Sequence, residues 1–126
     1  MDHVVHFEIP ADNEDRAQQF YETVFDWKVM RSPIPNWDYR TVNTVETDER
    51  GTPLSAGAIN GGIMKRGDTS PQPVVVIKVA NLEDSLKKAV AAGAKVVMEA
   101  RPVGEIGTYA RITDTEGNII GVWQDL

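Results

Sequence analysis

Polar and apolar side chains almost alternate along the first segment of the chain, as in a strand that is covered on one face only. Val5, Phe7 and Ile9 share the apolar face, whereas His6 and Glu8 share the opposite face. We therefore expect a helix to pack on the apolar face. His6 and Glu8 would then face the other side of the sheet.

A helix is predicted directly after this strand. Asp12 or Asn13 can accept hydrogen bonds from the unpaired N–H groups of its first turn. A Pro-rich loop at 32–36 and three further strand-like segments complete the first half of the chain. The helix contains four apolar residues at helical spacing, which we expect to pack on the first strand: Ala17, Phe20, Tyr21 and Val24.

The same order of elements returns after a shift of about 68 positions. Asn13 then falls on Asn81, which can cap a second helix, and Met30 falls on Met98. The halves span about 1–66 and 73–126, and a polar, Pro-containing linker at 65–73 joins them. Each half is predicted to form a strand, a helix and three strands.

This repeat predicts an α+β fold in one domain, 1–126. A sheet whose helix covers one face must bury its other face or enclose something with it. We therefore expect two βαβββ modules to form a cupped eight-stranded mixed sheet with the helices outside. The length of 126 residues suits a single domain.

Several motifs, in this order along nearly the whole chain, resemble the vicinal oxygen chelate superfamily, also called the glyoxalase/bleomycin-resistance/dioxygenase fold. The final hairpin has Thr115 where the family signature has proline. The motifs are His6, Arg16-Ala17, the aromatic segment 20–27, Gly61-Gly62-Ile63-Met64-Lys65-Arg66 and Asp114-Thr115-Glu116-Gly117-Asn118.

The resemblance implies one divalent metal, held by the first and fourth strands of each half. His6 matches the first ligand position, but the fourth strand contains no Asp, Glu, His or Cys. Val74 stands where a histidine is usual, and Gly121 stands where a glutamate is usual. His6 with Glu8 supplies at most two ligands, whereas a stable divalent site usually needs three or more. We therefore expect no standard metal site and no cofactor.

The predicted pocket is lined from several strands and one loop. Trp123 shares a face with Gly121 and could stack on a flat ligand, for which Gly121 would leave room, or it could fill a closed core. Glu8 could act as a base or pair with Lys78. The Pro-rich loop is a common kind of place for binding residues, and Trp37, Tyr39 and Arg40 lie beside it. An exposed aromatic residue there could equally belong to a dimer interface. The expected ligand-binding residues are His6, Glu8, Trp37, Arg40, Met64, Tyr109, Gly121 and Trp123.

Composition removes several classes of function. The chain has no cysteine, which excludes thiol nucleophiles and thiolate metal sites. A net charge of -6 and a pI of about 4.8 disfavour nucleic acid as a partner. No apolar run is long enough to span a membrane, and no signal peptide is evident, so we expect a cytoplasmic protein.

These patterns favour a homodimeric, glyoxalase-like protein that binds an aromatic or apolar small molecule without the standard metal site. The alternative is a metal-dependent lyase, isomerase or dioxygenase of the same superfamily, with a reduced or shifted metal site at His6 and Glu8. A third possibility is a structural or regulatory dimer whose cup is filled by its own side chains. The sequence leaves open whether the protein is an enzyme.

Overall fold

The computed structural model describes all 126 residues and contains two helices and eight strands. The order strand, helix and three strands occurs twice, so the predicted α+β class and the two βαβββ modules are confirmed. The elements are β1 (His3–Ala11), α1 (Glu14–Phe25), β2 (Lys28–Arg31), β3 (Arg40–Asn43), β4 (Asn60–Lys65), β5 (Val74–Lys78), α2 (Leu82–Ala91), β6 (Lys95–Val103), β7 (Gly107–Thr113) and β8 (Ile119–Asp125).

Strand pairing follows the same plan in both modules. The strands lie in the order β2-β3-β4-β1 in the first module and β6-β7-β8-β5 in the second. In each module the first and last strands pair in parallel, and the other pairs are antiparallel. The two compact units of the chain are 6–67 with 71–73, and 1–5 with 68–70 and 74–126.

The core of the first module lies between its sheet and α1. Phe7 and Ile9 of β1 pack into this core, as the alternation predicts. Its buried members are Ala11, Val29, Val42 and Ile63, and Ala17, Tyr21 and Trp27 pack against them.

One part of the helix prediction is wrong. Phe20 and Val24 do not pack on β1 but are 53% and 55% exposed. The contact with the sheet uses Ala17 and Tyr21. The apolar stripe of α1 is thus wider than the surface that the sheet covers, and its flank remains at the surface.

The second module repeats this packing with α2. Its core contains Val79, Leu82, Ala110 and Val122, and Ile77, Leu86 and Ile112 pack against it. Ala110 and Val122 alternate with the residues that β7 and β8 present on their other face. Both modules therefore separate a helix-covered face from a face on which the candidate site residues lie.

Asparagine caps begin both helices, as the sequence predicts. The Oδ1 of Asn13 accepts a hydrogen bond from the backbone N–H of Arg16 at 2.9 Å, and the Oδ1 of Asn81 accepts one from Asp84 at 2.9 Å. The alternative cap, Asp12, instead pairs with Arg66. Neither helix has the length and apolar character that crossing a membrane requires.

Candidate functional site

A histidine–tyrosine pair is the centre of the candidate site in the first module. His6 lies on the face of β1 opposite to Phe7 and Ile9, and its Nε2 is 2.6 Å from the hydroxyl oxygen of Tyr39. The two rings lie nearly parallel, with centroids 6.3 Å apart. Tyr39 immediately precedes β3 and is only 3% exposed, so the pair is fixed by its surroundings.

Trp37 adds a second aromatic ring to this pair. Its ring stacks on Tyr39 with centroids 4.1 Å apart and an angle of 11° between the planes. The loop that carries both residues is closed at its base, where the N–H of Ser32 donates to the carbonyl of Tyr39 at 2.8 Å. An ion pair between Arg31 and Asp38 also ties this loop to β2. The loop thus presents Trp37 in a defined position beside Tyr39 and His6.

Gly62 provides the space that Tyr39 occupies. In the sheet Gly62 pairs with Glu8 of β1 on one side and with Thr41 of β3 on the other. A Cβ atom at Gly62 would overlap the ring and hydroxyl of Tyr39. The glycines of β4 do mark close approaches: the side chain of Tyr39 lies against Gly62, and the backbone oxygen and ring of Phe7 lie against Gly61.

Burial sets the charge state of His6. Desolvation lowers the pKa of His6 below its ordinary value, and the negative charge of Glu8 partly opposes this by raising it. His6 is therefore neutral near pH 7. Glu8 is itself only 4% exposed and lies on the same face of β1 as His6, as the alternation predicts.

Met64 and Arg40 lie on opposite faces of the first module. Met64 is buried, and alternation along β4 places it on the face of Gly62. Arg40 lies on the helix face, where its guanidinium donates to Gln18 and Asp15 of α1, each at 2.7 Å. Arg40 was expected to bind ligand, but β3 starts at Arg40, and the alternation turns its side chain away from Tyr39.

The second module repeats the arrangement of a tyrosine over a glycine. Gly121 of β8 pairs with Val76 and with Arg111, and a Cβ atom at Gly121 would overlap the hydroxyl of Tyr109. The room for a ligand that the sequence predicted above Gly121 is thus filled by Tyr109. The ring of Tyr109 is held by Arg111, whose Nε donates to the tyrosine hydroxyl at 3.2 Å and whose guanidinium lies over the ring.

Trp123 lies on the face of β8 that carries Gly121, as its parity predicts. Its ring centroid is 6.4 Å from that of Tyr109, and its Nε1–H donates to Asp125 at 2.7 Å. Lys78, for which the sequence suggested Glu8 as a partner, pairs with Asp125 instead. The hydrogen bonds from Lys78 and Trp123 lower the pKa of Asp125.

The residues at the family's metal positions do not fit a divalent ion. The register makes Gly62 the counterpart of Gly121, so neither β4 nor β8 offers a ligating side chain there. Val74, at the counterpart of His6, is aliphatic and buried. No group of three or more His, Asp or Glu side chains in the structure could hold a metal ion. His6 already uses its Nε2 on Tyr39.

Within each module the structure brings several of the predicted residues together. His6 and Trp37 meet through Tyr39, and Glu8 and Met64 share their face, whereas Tyr109, Gly121 and Trp123 are neighbours in the second module. The role of Tyr39 was missed. Gly62 was the available signal, because a glycine inside a strand often marks the close approach of a neighbouring group.

Comparisons with known proteins agree with this topology. The chain is 26% identical over 121 residues to CFP32, a protein named as a glyoxylase, from both Mycobacterium bovis and Mycobacterium tuberculosis. The match covers 93% of this chain but 43% of CFP32, so the chain spans less than half the length of these relatives.

Solved structures share the fold at low sequence identity. Methylmalonyl-CoA epimerase from Mycobacterium tuberculosis superposes with a TM-score of 0.68 at 16% identity, covering 98% of this chain and 87% of the epimerase. The hypothetical protein BH1468 from Bacillus halodurans C-125 gives a TM-score of 0.67 at 13% identity, covering 99% and 95% of the two chains. The family model of the Glyoxalase/Bleomycin resistance protein/Dioxygenase superfamily matches residues 3–122, and the chain belongs to this superfamily.

Proposed function

We propose that this chain binds an aromatic or apolar small molecule and does so without the divalent metal of its superfamily. One observation carries the proposal: a tyrosine covers a glycine at both of the family's ligand positions in the last strands, Tyr39 over Gly62 and Tyr109 over Gly121. A coordinating side chain at either position would have to displace a buried ring. The metal-dependent role is therefore disfavoured by packing as well as by composition.

The first module supplies the chemistry that such a ligand needs. Trp37, Tyr39 and His6 form a rigid series of rings with one polar pair within it. Small-molecule sites are commonly lined by aromatic and apolar groups, with a few placed polar groups that fix orientation. Trp37 is half-buried, so part of its surface remains accessible for stacking.

The second candidate function is a lyase, isomerase or dioxygenase with a metal at His6 and Glu8. The observation in its favour is that these two side chains share one face of β1 and interact electrostatically. The names of the relatives, a glyoxylase and an epimerase, point the same way. Against it stands the bond from the Nε2 of His6 to Tyr39, which would have to break or leave only Nδ1 for the metal.

A fluorescent probe tests the proposal. N-phenyl-1-naphthylamine is an uncharged aromatic compound that brightens in apolar surroundings. We expect it to bind equally well after dialysis against chelator and after reloading with Zn²⁺, Ni²⁺ or Mn²⁺. Trp37→Ala should weaken binding about fivefold through the loss of stacking. Phe20→Ala is the matched control, because Phe20 is an exposed ring away from the site.

Two outcomes would overturn the proposal. Probe binding that disappears with chelator and returns with one metal would favour the metal-dependent alternative. Failure of the probe to bind at all would favour a structural role.

We also propose that the chain assembles as a homodimer, as its family resemblance implies, and the mass of the intact protein tests this assembly.

A further inference from the structure

His6 uses only one of its two ring nitrogens within the protein. Its Nε2 is hydrogen-bonded to Tyr39. Its Nδ1 has no hydrogen-bond partner, and this nitrogen is not a buried atom. We infer that His6 carries its proton on Nδ1 and that this N–H selects ligands with a neutral carbonyl oxygen on a flat apolar body. The inference rests on the proposed function and names the ligand class of that site.

The short distance to Tyr39 indicates which group donates. Hydroxyl donors give separations of about 2.5–3.0 Å, whereas N–H groups bonded to oxygen give about 2.7–3.2 Å. The observed 2.6 Å therefore assigns Tyr39 as the donor and Nε2 as the acceptor. A neutral imidazole has a single proton, which must then lie on Nδ1. Burial, which lowers the pKa of His6, keeps the ring in this neutral form.

The surroundings of Tyr39 fix this donor in place. Tyr39 is buried between the ring of Trp37 and the backbone of Gly62, and it holds the imidazole through the hydroxyl. The Nδ1–H therefore has its direction set before a ligand arrives. A preorganised donor loses little entropy on binding, and a ligand without an acceptor would leave it unpaired.

Charge favours a neutral acceptor over an anionic one. The negative charge of Glu8 offsets only part of the lowering of the His6 pKa by burial, but an anion at the same position would meet that same negative charge. The net charge of -6 on the chain adds to this at long range. A ketone, ester or amide oxygen is uncharged, so neither Glu8 nor the net charge of the chain repels it.

The tautomer can be measured directly on the unmodified protein. In ¹⁵N NMR of the histidine rings, we expect Nδ1 of His6 to be the protonated nitrogen near pH 7. In Tyr39→Phe this preference should weaken, because the hydroxyl donor is gone. Protonation of Nε2 in the unmodified protein would overturn the inference, whatever any variant does.

Two uncharged naphthalene probes test the selectivity. Prodan carries a ketone, and N-phenyl-1-naphthylamine does not. Glutamine at position 6 keeps an acceptor near the place of Nε2, whereas asparagine keeps an N–H near the place of Nδ1. We expect His6→Gln to weaken Prodan binding about fivefold more than it weakens binding of the other probe, since one neutral hydrogen bond is lost. His6→Asn should retain the preference for Prodan.

The exposed His3 provides the control, because His3→Gln makes the same change at the start of β1. Equal effects of His6→Gln on both probes would overturn the inference while leaving the proposed function intact. Failure of both probes to bind the unmodified protein would overturn the proposed function, and the inference would fall with it. Tighter binding of the anionic probe 1-anilinonaphthalene-8-sulfonate than of Prodan would overturn the choice of a neutral acceptor.

Discussion

At the scale of single residues, Gly62 and Gly121 determine which side chains fit on the face of each module that carries the candidate site residues. Each lacks a side chain where a neighbouring tyrosine ring lies against the backbone. In each module the tyrosine occupies the space that a side chain at the glycine position would need. The packing of Tyr39 and Tyr109 is thus the observation on which the proposed metal-free role depends.

Gly62→Ala tests this packing. The added Cβ would overlap Tyr39, which is buried and cannot move without disturbing Trp37 and His6. We expect a loss of roughly 1–3 kcal/mol in the free energy of unfolding, measured with denaturant. In a Tyr39→Ala background the same substitution should cost clearly less, because the clash is absent. Equal costs in both backgrounds would show that Tyr39 does not occupy this space.

The titration of His6 gives a second test. Its pKa, followed through the ring C–H resonances in NMR, should lie below 6.5, and Glu8→Gln should lower it further by removing the opposing charge. Below about pH 6.5, His6 is protonated to a greater extent in the unfolded chain than in the folded chain. The free energy of unfolding should therefore decrease as the pH falls. His6→Asn should remove this part of the acid dependence. A pKa above 6.5 would contradict the burial of His6.

Residue-level prediction from the sequence succeeded where strand alternation alone decides. His6, Glu8 and Trp123 lie on the faces that their parity predicts. Gly62 indicated a close approach, but the sequence did not show that Tyr39 makes it, because this depends on the strand register that pairs Gly62 with Glu8 and Thr41. The pattern of one strand does not specify its diagonal neighbours on the next.

At the scale of elements, α1 is attached to the sheet by a polar contact as well as by its apolar face. Arg40 is buried and donates to Gln18 and Asp15 across the helix–sheet interface. The sequence placed Arg40 in the pocket because it adjoins the Pro-rich loop. Proximity to a loop does not give the parity of a side chain, which depends on the residue at which the strand begins.

Two substitutions separate the parts of this contact. Arg40→Ala should cost roughly 1–3 kcal/mol in the free energy of unfolding, since it removes two hydrogen bonds and leaves the Oε1 of Gln18 without its donor. Asp15→Ala should cost less than about 1 kcal/mol, because the Asp15 side chain is largely exposed. If the two variants lose similar stability in denaturant unfolding, the buried guanidinium does not hold α1.

At the scale of the whole molecule, the duplication explains both the strength and the limit of the sequence prediction. Two asparagine caps, two apolar helix faces and the repeated strand order were sufficient to predict two βαβββ modules. The flank of α1 was predicted wrongly, because helical spacing does not show how wide a surface the sheet covers. The ligand was not predictable, because the same fold serves many functions.

The central claim is that the protein binds its small molecule without a divalent metal. Elemental analysis combined with native mass spectrometry tests it most directly, on protein purified without chelator or a metal-affinity tag. We expect no stoichiometric metal, and an assembly of two chains of 13.9 kDa each, with or without a retained organic ligand. About one metal per chain that disappears in His6→Ala would contradict the claim and would establish His6 as a metal ligand.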